Sequence, residues 1–422
     1  MVKKILLILS VLAIVTVMIG CGPKEKKDVT VTFWHLDTQD DFKAAWQAQV
    51  DEFMALNPHV KIEITVLENE AFKQKVATMM QSGNPPDLFR SWGGGVMNQY
   101  AEAGLLRDVT KELKKGGFSD TIGAGPLGVY SYKGKVYGIP YNMGAVGIWY
   151  NKKMFADNGL SEFKTWNELI EGCKKLKAAG ITPIALGEQD KWPGHFWFGY
   201  LAVRIAGGEA IQKAYAREGK FTDAPFVEAF VKLKELVDLG AFQKGFLGAT
   251  YNDQASLTAN RKAAMELMGQ WAPSVQEQQT KDKKGLGSDL GFMAFPAVEG
   301  GAGDITDVFG GGDGFAFGVN APDEAIDFMK FLMSKEQYKK LYDSPISFIP
   351  TVKGTSEWVQ DPNMKAVADA TSKAGFYQLY FDQAFPPAVG GAILDAVQGI
   401  CAGTKTPEEA AGIIQKAWDE EK

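Results

Sequence analysis

From residue 29 to residue 90 the apolar residues of this chain switch repeatedly between two spacings, and that alternation restricts the fold more than any single motif. Val29, Val31 and Phe33 alternate with polar neighbours as in a half-buried strand, whereas Phe42, Trp46, Val50, Phe53 and Met54 recur at helical spacing. Asn57-Pro58 stops that helix and Val60 to Val66 alternates again. Ala71 to Gln81 returns to helical spacing, and Ser82-Gly83-Asn84-Pro85-Pro86 breaks it before a strand at Asp87-Leu88-Phe89-Arg90. Strands that alternate with helices predict an α/β fold, its sheet covered on both faces and its ligands held beyond the carboxyl ends of the strands. Trp34, His35 and Asp37 stand at the first such end, and Trp92 with Gly93, Gly94 and Gly95 at a later one. No Lys-Ser or Lys-Thr follows these glycines, so they predict close backbone approach or a turn instead of a phosphate loop.

A chain of 422 residues, 45% of them hydrophobic, exceeds what one core organises and predicts two lobes. The amino terminus stands apart from both. Lys3 and Lys4 precede an apolar run from Ile5 to Ile19, shorter than the about 20 residues a permanent membrane helix needs but suited to a signal-peptide core. Gly20-Cys21-Gly22 then resembles the bacterial lipobox, with Met18 where Leu is usual; the alternative is an ordinary signal peptide cleaved nearby. The expectation is a signal peptide over 1–20, a lipidated Cys21, and a charged linker over 21–28 with no apolar content. The formal net charge of −6 becomes more negative once Lys3 and Lys4 leave with the leader, which argues against a nucleic-acid partner. Of the three cysteines, Cys173 and Cys401 remain beyond Cys21, and they either pair or sit apart as small buried hydrophobes.

The helix ending at Asn57-Pro58 before a strand, followed by Ser82-Gly83-Asn84-Pro85-Pro86-Asp87, resembles the bacterial extracellular solute-binding proteins (family 1), whose carbohydrate binders serve ABC importers. Gly134 to Pro140, Trp149 to Phe155, Thr165-Trp166-Asn167-Glu168-Leu169 and Gly269-Gln270-Trp271 extend the resemblance along nearly the whole chain after the leader. It implies a two-lobed, periplasmic-binding-protein-like fold (type II) with a hinge and a ligand cleft. The chain would cross between lobes near Ala145 to Trp149, Gly314 to Gly318 and Ser347 to Pro350. Carried over, the N-terminal lobe holds residues 29–145 and 316–346 and the C-terminal lobe 146–315 and 347–422. The implied function is capture of a mono- or oligosaccharide and delivery to separate permease subunits, with no enzymatic step, no cofactor and no metal.

A sugar presents apolar C–H faces and a rim of hydroxyls, so its site combines aromatic platforms with carboxylates and other polar groups. Trp34, Trp92, Trp192, Trp197 and Trp271 sit beside glycine, proline or polar residues and are the candidate platforms, whereas Trp46, Trp149 and Trp166 read as core or capping residues. In Lys191 to Tyr200, Pro193-Gly194 predicts a loop carrying Trp192, His195 and Trp197 to the site, with Phe196, Phe198 and Tyr200 anchoring the following helix. His35 joins the candidates through its neighbour Trp34, against the plainer reading of a structural histidine. Asp313, in Gly310-Gly311-Gly312-Asp313-Gly314, reaches ligand hydroxyls or closes an ordinary Asp-Gly turn. Tyr380 and Asp382 lie in a segment that resembles the family's late loop near the cleft. A secreted glycosidase and a surface adhesion module are the rival classes, since paired carboxylates also make glycosidase sites. No Gly-x-Ser-x-Gly elbow, His-Glu-x-x-His helix or cysteine–histidine motif supports an enzyme.

Overall fold

A computed structural model describes residues 27–421; the leader and Cys21 lie outside the described residues. Strands β1 (Val29–His35), β2 (Val60–Val66) and β3 (Leu88–Ser91) occupy the segments where the apolar period is two. They are followed by β4 (Gly138–Pro140), β5 (Gly144–Ala145), β6 (Gly147–Asn151), β7 (Thr182–Ile184), β8 (Ala263–Met268), β9 (Leu290–Met293), β10 (Val308–Gly311), β11 (Gly314–Phe317) and β12 (Tyr377–Leu379). These strands form three sheets, ordered β2-β1-β3-β11-β4, β9-β6-β8-β7 and β12-β10-β5, and the short pair Ser131–Tyr132 and Lys135–Val136 makes a fourth. In the first, β1 runs parallel to β2 in a register pairing Val29 with Val60 and His35 with Val66, and parallel to β3. β11 enters antiparallel between β3 and β4, so a segment more than two hundred residues downstream completes this sheet.

Helices cover both faces of the first sheet, as the alternation of periods requires. On one side Phe42, Trp46, Val50 and Phe53 of α1 (Asp40–Leu56) pack on Val31, Phe33 and Phe315, together with Ala325, Phe328, Met329 and Leu332 of the helix Asp323–Leu332. On the other, Phe72, Val76 and Met80 of α2 (Asn69–Gln81) and Met97 of α3 (Gly94–Glu102) pack on Phe89 and Tyr130. A larger core surrounds β6 and β8, where Trp149 and Trp166 are fully buried. Thr165 starts the helix Trp166–Ala178 with a reciprocal capping box to Glu168, satisfying two backbone donors that the first turn leaves free. Cys173 and Cys401 are both buried and unpaired, the second of the two sequence readings.

The segment after Lys191 corrects its sequence reading. Pro193-Gly194 does not make a loop: α4 (Trp192–Tyr215) starts there, with the turn at Lys191, whose φ is +62°. Proline fits the first helical turn because its missing N–H has no partner there anyway. Gly194 leaves room for the Glu188 carboxyl, whose Oε2 lies 1.9 Å from where a Cβ would stand. The Glu188 carboxyl thus fills the helix start, and burial pushes its pKa well up.

The chain leaves the first sheet after Pro140, pairs briefly with β10 through β5, and returns between Gly311 and Gly314. These passages are stitched together. Asp313 and Asn142 exchange backbone bonds, Asn142 Nδ2 donates to Asp313 Oδ2 (2.8 Å), and Asn142 Oδ1 accepts the Ile349 N–H (3.0 Å).

Candidate functional site

Where the carboxyl ends of β1 and β3 meet the residues around Trp192, Trp271 and Tyr380, a cavity of about 300 Å³ opens. Seven of the eleven sequence candidates line it: Asp37, Trp92, Trp192, Trp271, Asp313, Tyr380 and Asp382. Four do not, for identifiable reasons. Neighbouring side chains of a strand point to opposite faces, so Trp34 and His35 cannot share one site. Trp34 packs beside Leu36 and Phe89 on one face. His35 is fully buried on the other between Phe33 and Trp46, its Nδ1 accepting the Asp37 N–H. Burial lowers the His35 pKa to about 4, against the pull of Asp37, so the ring is neutral. Trp197 is a core residue, packed on Phe242 and Phe295.

His195 lies behind the wall instead of on it. Its Nδ1–H donates to the Trp192 carbonyl at 2.7 Å, burial lowers its pKa, and its Nε2 lies 3.4 Å from Asp382 Oδ1 without a hydrogen bond between them. Asp382 accepts from Gln383 Nε2 (2.9 Å) and faces Lys73 Nζ at 3.6 Å. Lys73 projects from α2, with Glu70 at 3.0 Å and the Trp92 ring centre at 5.6 Å. Burial opposes the lysine's charge, but Asp382 and Glu70 outweigh it and raise its pKa.

The polar centre is a buried arginine that the sequence candidates omit. Arg90 Nη2 donates to Asp37 Oδ2 (2.5 Å), Nη1 donates to Tyr141 Oη (2.5 Å), and Nη1 lies 3.1 Å from Asp313 Oδ1. Trp46 Nε1 donates to the same Asp37 oxygen at 2.6 Å. Burial works against the guanidinium, yet Asp37, Tyr141 and Asp313 hold it charged, with its pKa raised. The available signal was a charge inside Leu88-Phe89-Arg90-Ser91, where every position is buried; such a charge persists only when it is paired.

Facing this clamp is an aromatic wall. Trp192 meets Tyr251 at 4.9 Å, Phe196 stacks on Tyr380 at 5.1 Å, and Trp271 meets both Trp192 and Tyr380 at 6.3 Å. Trp271 folds back over Gly269, where a Cβ would lie 2.2 Å from the indole. Tyr251 opens α5 (Tyr251–Ala259), which Thr250 caps. Trp192 Nε1, Tyr251 Oη and Tyr380 Oη are buried without protein partners and belong to cavity-lining residues.

Gly93 to Gly95 serve close approach, but of protein to protein. A Cβ on Gly94 would meet Gln383 O at 2.6 Å and one on Gly95 would meet Ala384 O at 2.4 Å. The start of α3 therefore rests against Phe381–Ala384, beside the Lys73–Asp382 pair.

Beneath the wall, Glu266 of β8 is fully buried, accepting from Gln254 Nε2 of α5 (2.8 Å) and from Gln276 Nε2 (2.5 Å) of α6 (Ala272–Gln278). Burial raises its pKa from 4.5 to about 7, against both amides. A carboxyl that holds its proton more tightly folded than unfolded adds stability fully below about pH 4.5 and loses it as pH rises through about 7. At about 1.4 kcal/mol per unit the full swing is about 3 kcal/mol. Glu266→Gln, which imitates the protonated carboxyl, should flatten the fall in melting temperature between pH 5 and pH 8, measured by calorimetry.

Residues 37–339 match the family model of the bacterial extracellular solute-binding proteins. The "Multiple sugar-binding protein" of Streptococcus mutans serotype c is 28% identical over 378 residues, 85% of each chain. Among solved structures, a chitin oligosaccharide binding protein is 29% identical with a TM-score of 0.83, covering 93% of this chain and 98% of its own. A structure from work on xylan utilization by the thermophilic Caldanaerobius polysaccharolyticus is also 29% identical, with a TM-score of 0.84 over 92% of this chain and 99% of its own. Both structural matches extend over nearly all of the fold described above, and the family pattern covers most of the chain. By fold and by sequence pattern alike, this chain belongs to the bacterial extracellular solute-binding protein family.

Proposed function

We propose that this protein captures a mono- or oligosaccharide in the cleft and delivers it to the permease subunits of an ABC importer. The observation that carries the reading is the pairing of an aromatic wall with a carboxylate–arginine clamp across one cavity, with unpartnered polar atoms on Trp192, Tyr251 and Tyr380. Stacking platforms serve the C–H faces of a sugar, and free donors and acceptors serve its hydroxyls. Relatives named for sugars and for chitin oligosaccharides support the same ligand class. Asp37, Trp92, Trp192, Trp271, Asp313, Tyr380 and Asp382 are the candidate sequence residues that touch ligand, joined by Arg90, Lys73 and Tyr251.

The lobes divide near 29–145 with 316–346 against 146–315 with 347–422, and they hinge where the strands change sheet, beside Asn142 and Asp313. Ligand drives closure only by contacting the closed state better than the open one. The chain makes and breaks no bond, and a diacylated Cys21 tethers it to the extracytoplasmic face of the membrane. Loss of that tether in Cys21→Ser, read as release of the protein from the membrane fraction, is the expected result.

A thermal-shift screen against mono- and oligosaccharides tests the ligand class, because a ligand of the native state raises the melting temperature with its concentration. Trp271→Ala should weaken the best sugar at least tenfold, about 1.4 kcal/mol. Its unliganded melting temperature should fall less than that of Trp197→Ala, which empties a core site at about 3–5 kcal/mol. Steady consumption of saccharide by catalytic amounts of protein would overturn the binding reading in favour of a glycosidase.

A further inference from the structure

The charges along the cavity are unevenly paired. Arg90 is held between Asp37 and Asp313, and Lys73 between Glu70 and Asp382, so each of the two lining cations already faces two carboxylates. Glu68 and Asp190 line the same cavity, and neither has an ion-pair partner among the described residues. Glu68 accepts only from Thr38 Oγ1 (2.8 Å), and Asp190 Oδ2 accepts the Tyr251 N–H (2.8 Å). No lining cation is left to receive an anionic group. Trp192, 8% exposed, and Tyr380, 4% exposed, instead present an unpartnered indole N–H and a phenol, neutral groups that match hydroxyls.

We propose that the cleft sorts saccharides by charge, admitting neutral sugars and sugars bearing an ammonium group near Asp190 and Glu68, and excluding those bearing a carboxylate or phosphate. The inference rests on the saccharide-capture reading and adds the class of sugar. An entering carboxylate would be stripped of water beside Glu68 and Asp190, which no cation pairs, and the two lining cations already face two carboxylates each. An ammonium would instead form charge-assisted hydrogen bonds there. The same crowding acts within the protein: burial first, and with it the charges of Glu70 and Glu68, raise the Asp190 pKa, with the Tyr251 N–H bond and Lys73 pulling the other way.

The test compares ligands of one shape and different charge. The neutral sugar that stabilises the protein best in the screen is titrated calorimetrically beside its C6 carboxylate, the matching C6 carboxamide and its 2-amino counterpart. The carboxylate should bind at least tenfold more weakly than the carboxamide. The amino sugar should bind at least as tightly as the parent, with an affinity that falls as salt is raised. Asp190→Asn and Glu68→Gln, each checked for an unchanged unliganded melt, should each narrow the carboxamide-to-carboxylate gap at least twofold. Equal binding of carboxylate and carboxamide, or a gap unmoved in both variants, overturns the charge rule. A uronate that binds when no neutral sugar does overturns it too while leaving saccharide capture standing. Silence toward sugars of every charge overturns both.

Discussion

Replacing Arg90 with methionine is expected to destabilise the unliganded protein by about 3 kcal/mol and to abolish the sugar-induced rise in melting temperature. The guanidinium is the sole cation in contact with Asp37 and Asp313 among the described residues, and it also bonds Tyr141. Removing one partner of a buried ion pair costs about 3–5 kcal/mol because the remaining charge stays desolvated. The low end applies because the Asp37 and Asp313 side chains keep 14% and 15% exposure toward the cleft. Methionine keeps an unbranched apolar side chain in the site while removing the guanidinium that lies over the Tyr141 and Phe315 rings. Adding Asp37→Asn and Asp313→Asn to the methionine variant should therefore recover stability, read by chemical denaturation, without recovering affinity. If the triple variant is no more stable than Arg90→Met, packing and not stranded charge explains the loss.

Gly95→Val should separate binding from folding in the opposite way. Its side chain would enter the space held by the Ala384 carbonyl oxygen, 2.4 Å from where a Cβ must lie. Overpacking of this kind costs about 1–3 kcal/mol. In a hinged protein that cost falls on the closed state alone, because opening removes the clash. Apparent affinity then drops by the lost population of the competent state, about tenfold to a hundredfold. The unliganded melting temperature should stay near the wild type, and small-angle scattering should show the sugar-induced compaction lost. A matched fall in unliganded stability would mean instead that α3 and Phe381–Ala384 stay in contact throughout.

Much of the architecture is legible because period and punctuation are local. Val60 to Val66 alternates, and β2 has those bounds; Asn57-Pro58 breaks the helical pattern, and α1 ends at Leu56. The cleft is less legible because its selection of residues depends on direction. Trp34 and His35 share an end of one strand, but alternation sends them to opposite faces, and only the fold shows that neither face is the cleft. Trp192 and Trp197 share a segment, yet the first lines the cavity and the second is buried deep in the helix–sheet interface. Lys73 and Tyr251 carried no local mark at all, since exposed-looking helix residues become cleft residues only once a second sheet stands opposite. Arg90 was marked, by a charge in an otherwise apolar strand, and its significance lies in partners at Asp37 and Asp313, far apart in sequence.

The placement of β11 has a consequence for how the protein is made. Because this strand sits between β3 and β4, the first sheet stays split in two until residues 314–317 have been synthesised. The sheet containing β5 waits longer, for β12 at Tyr377–Leu379. Folding of separate domains ordinarily proceeds from the amino terminus during synthesis, but no leading fragment of this chain can finish either sheet. For a polypeptide bound for the far side of a membrane, the strand order keeps these two sheets from closing until most of its length has emerged.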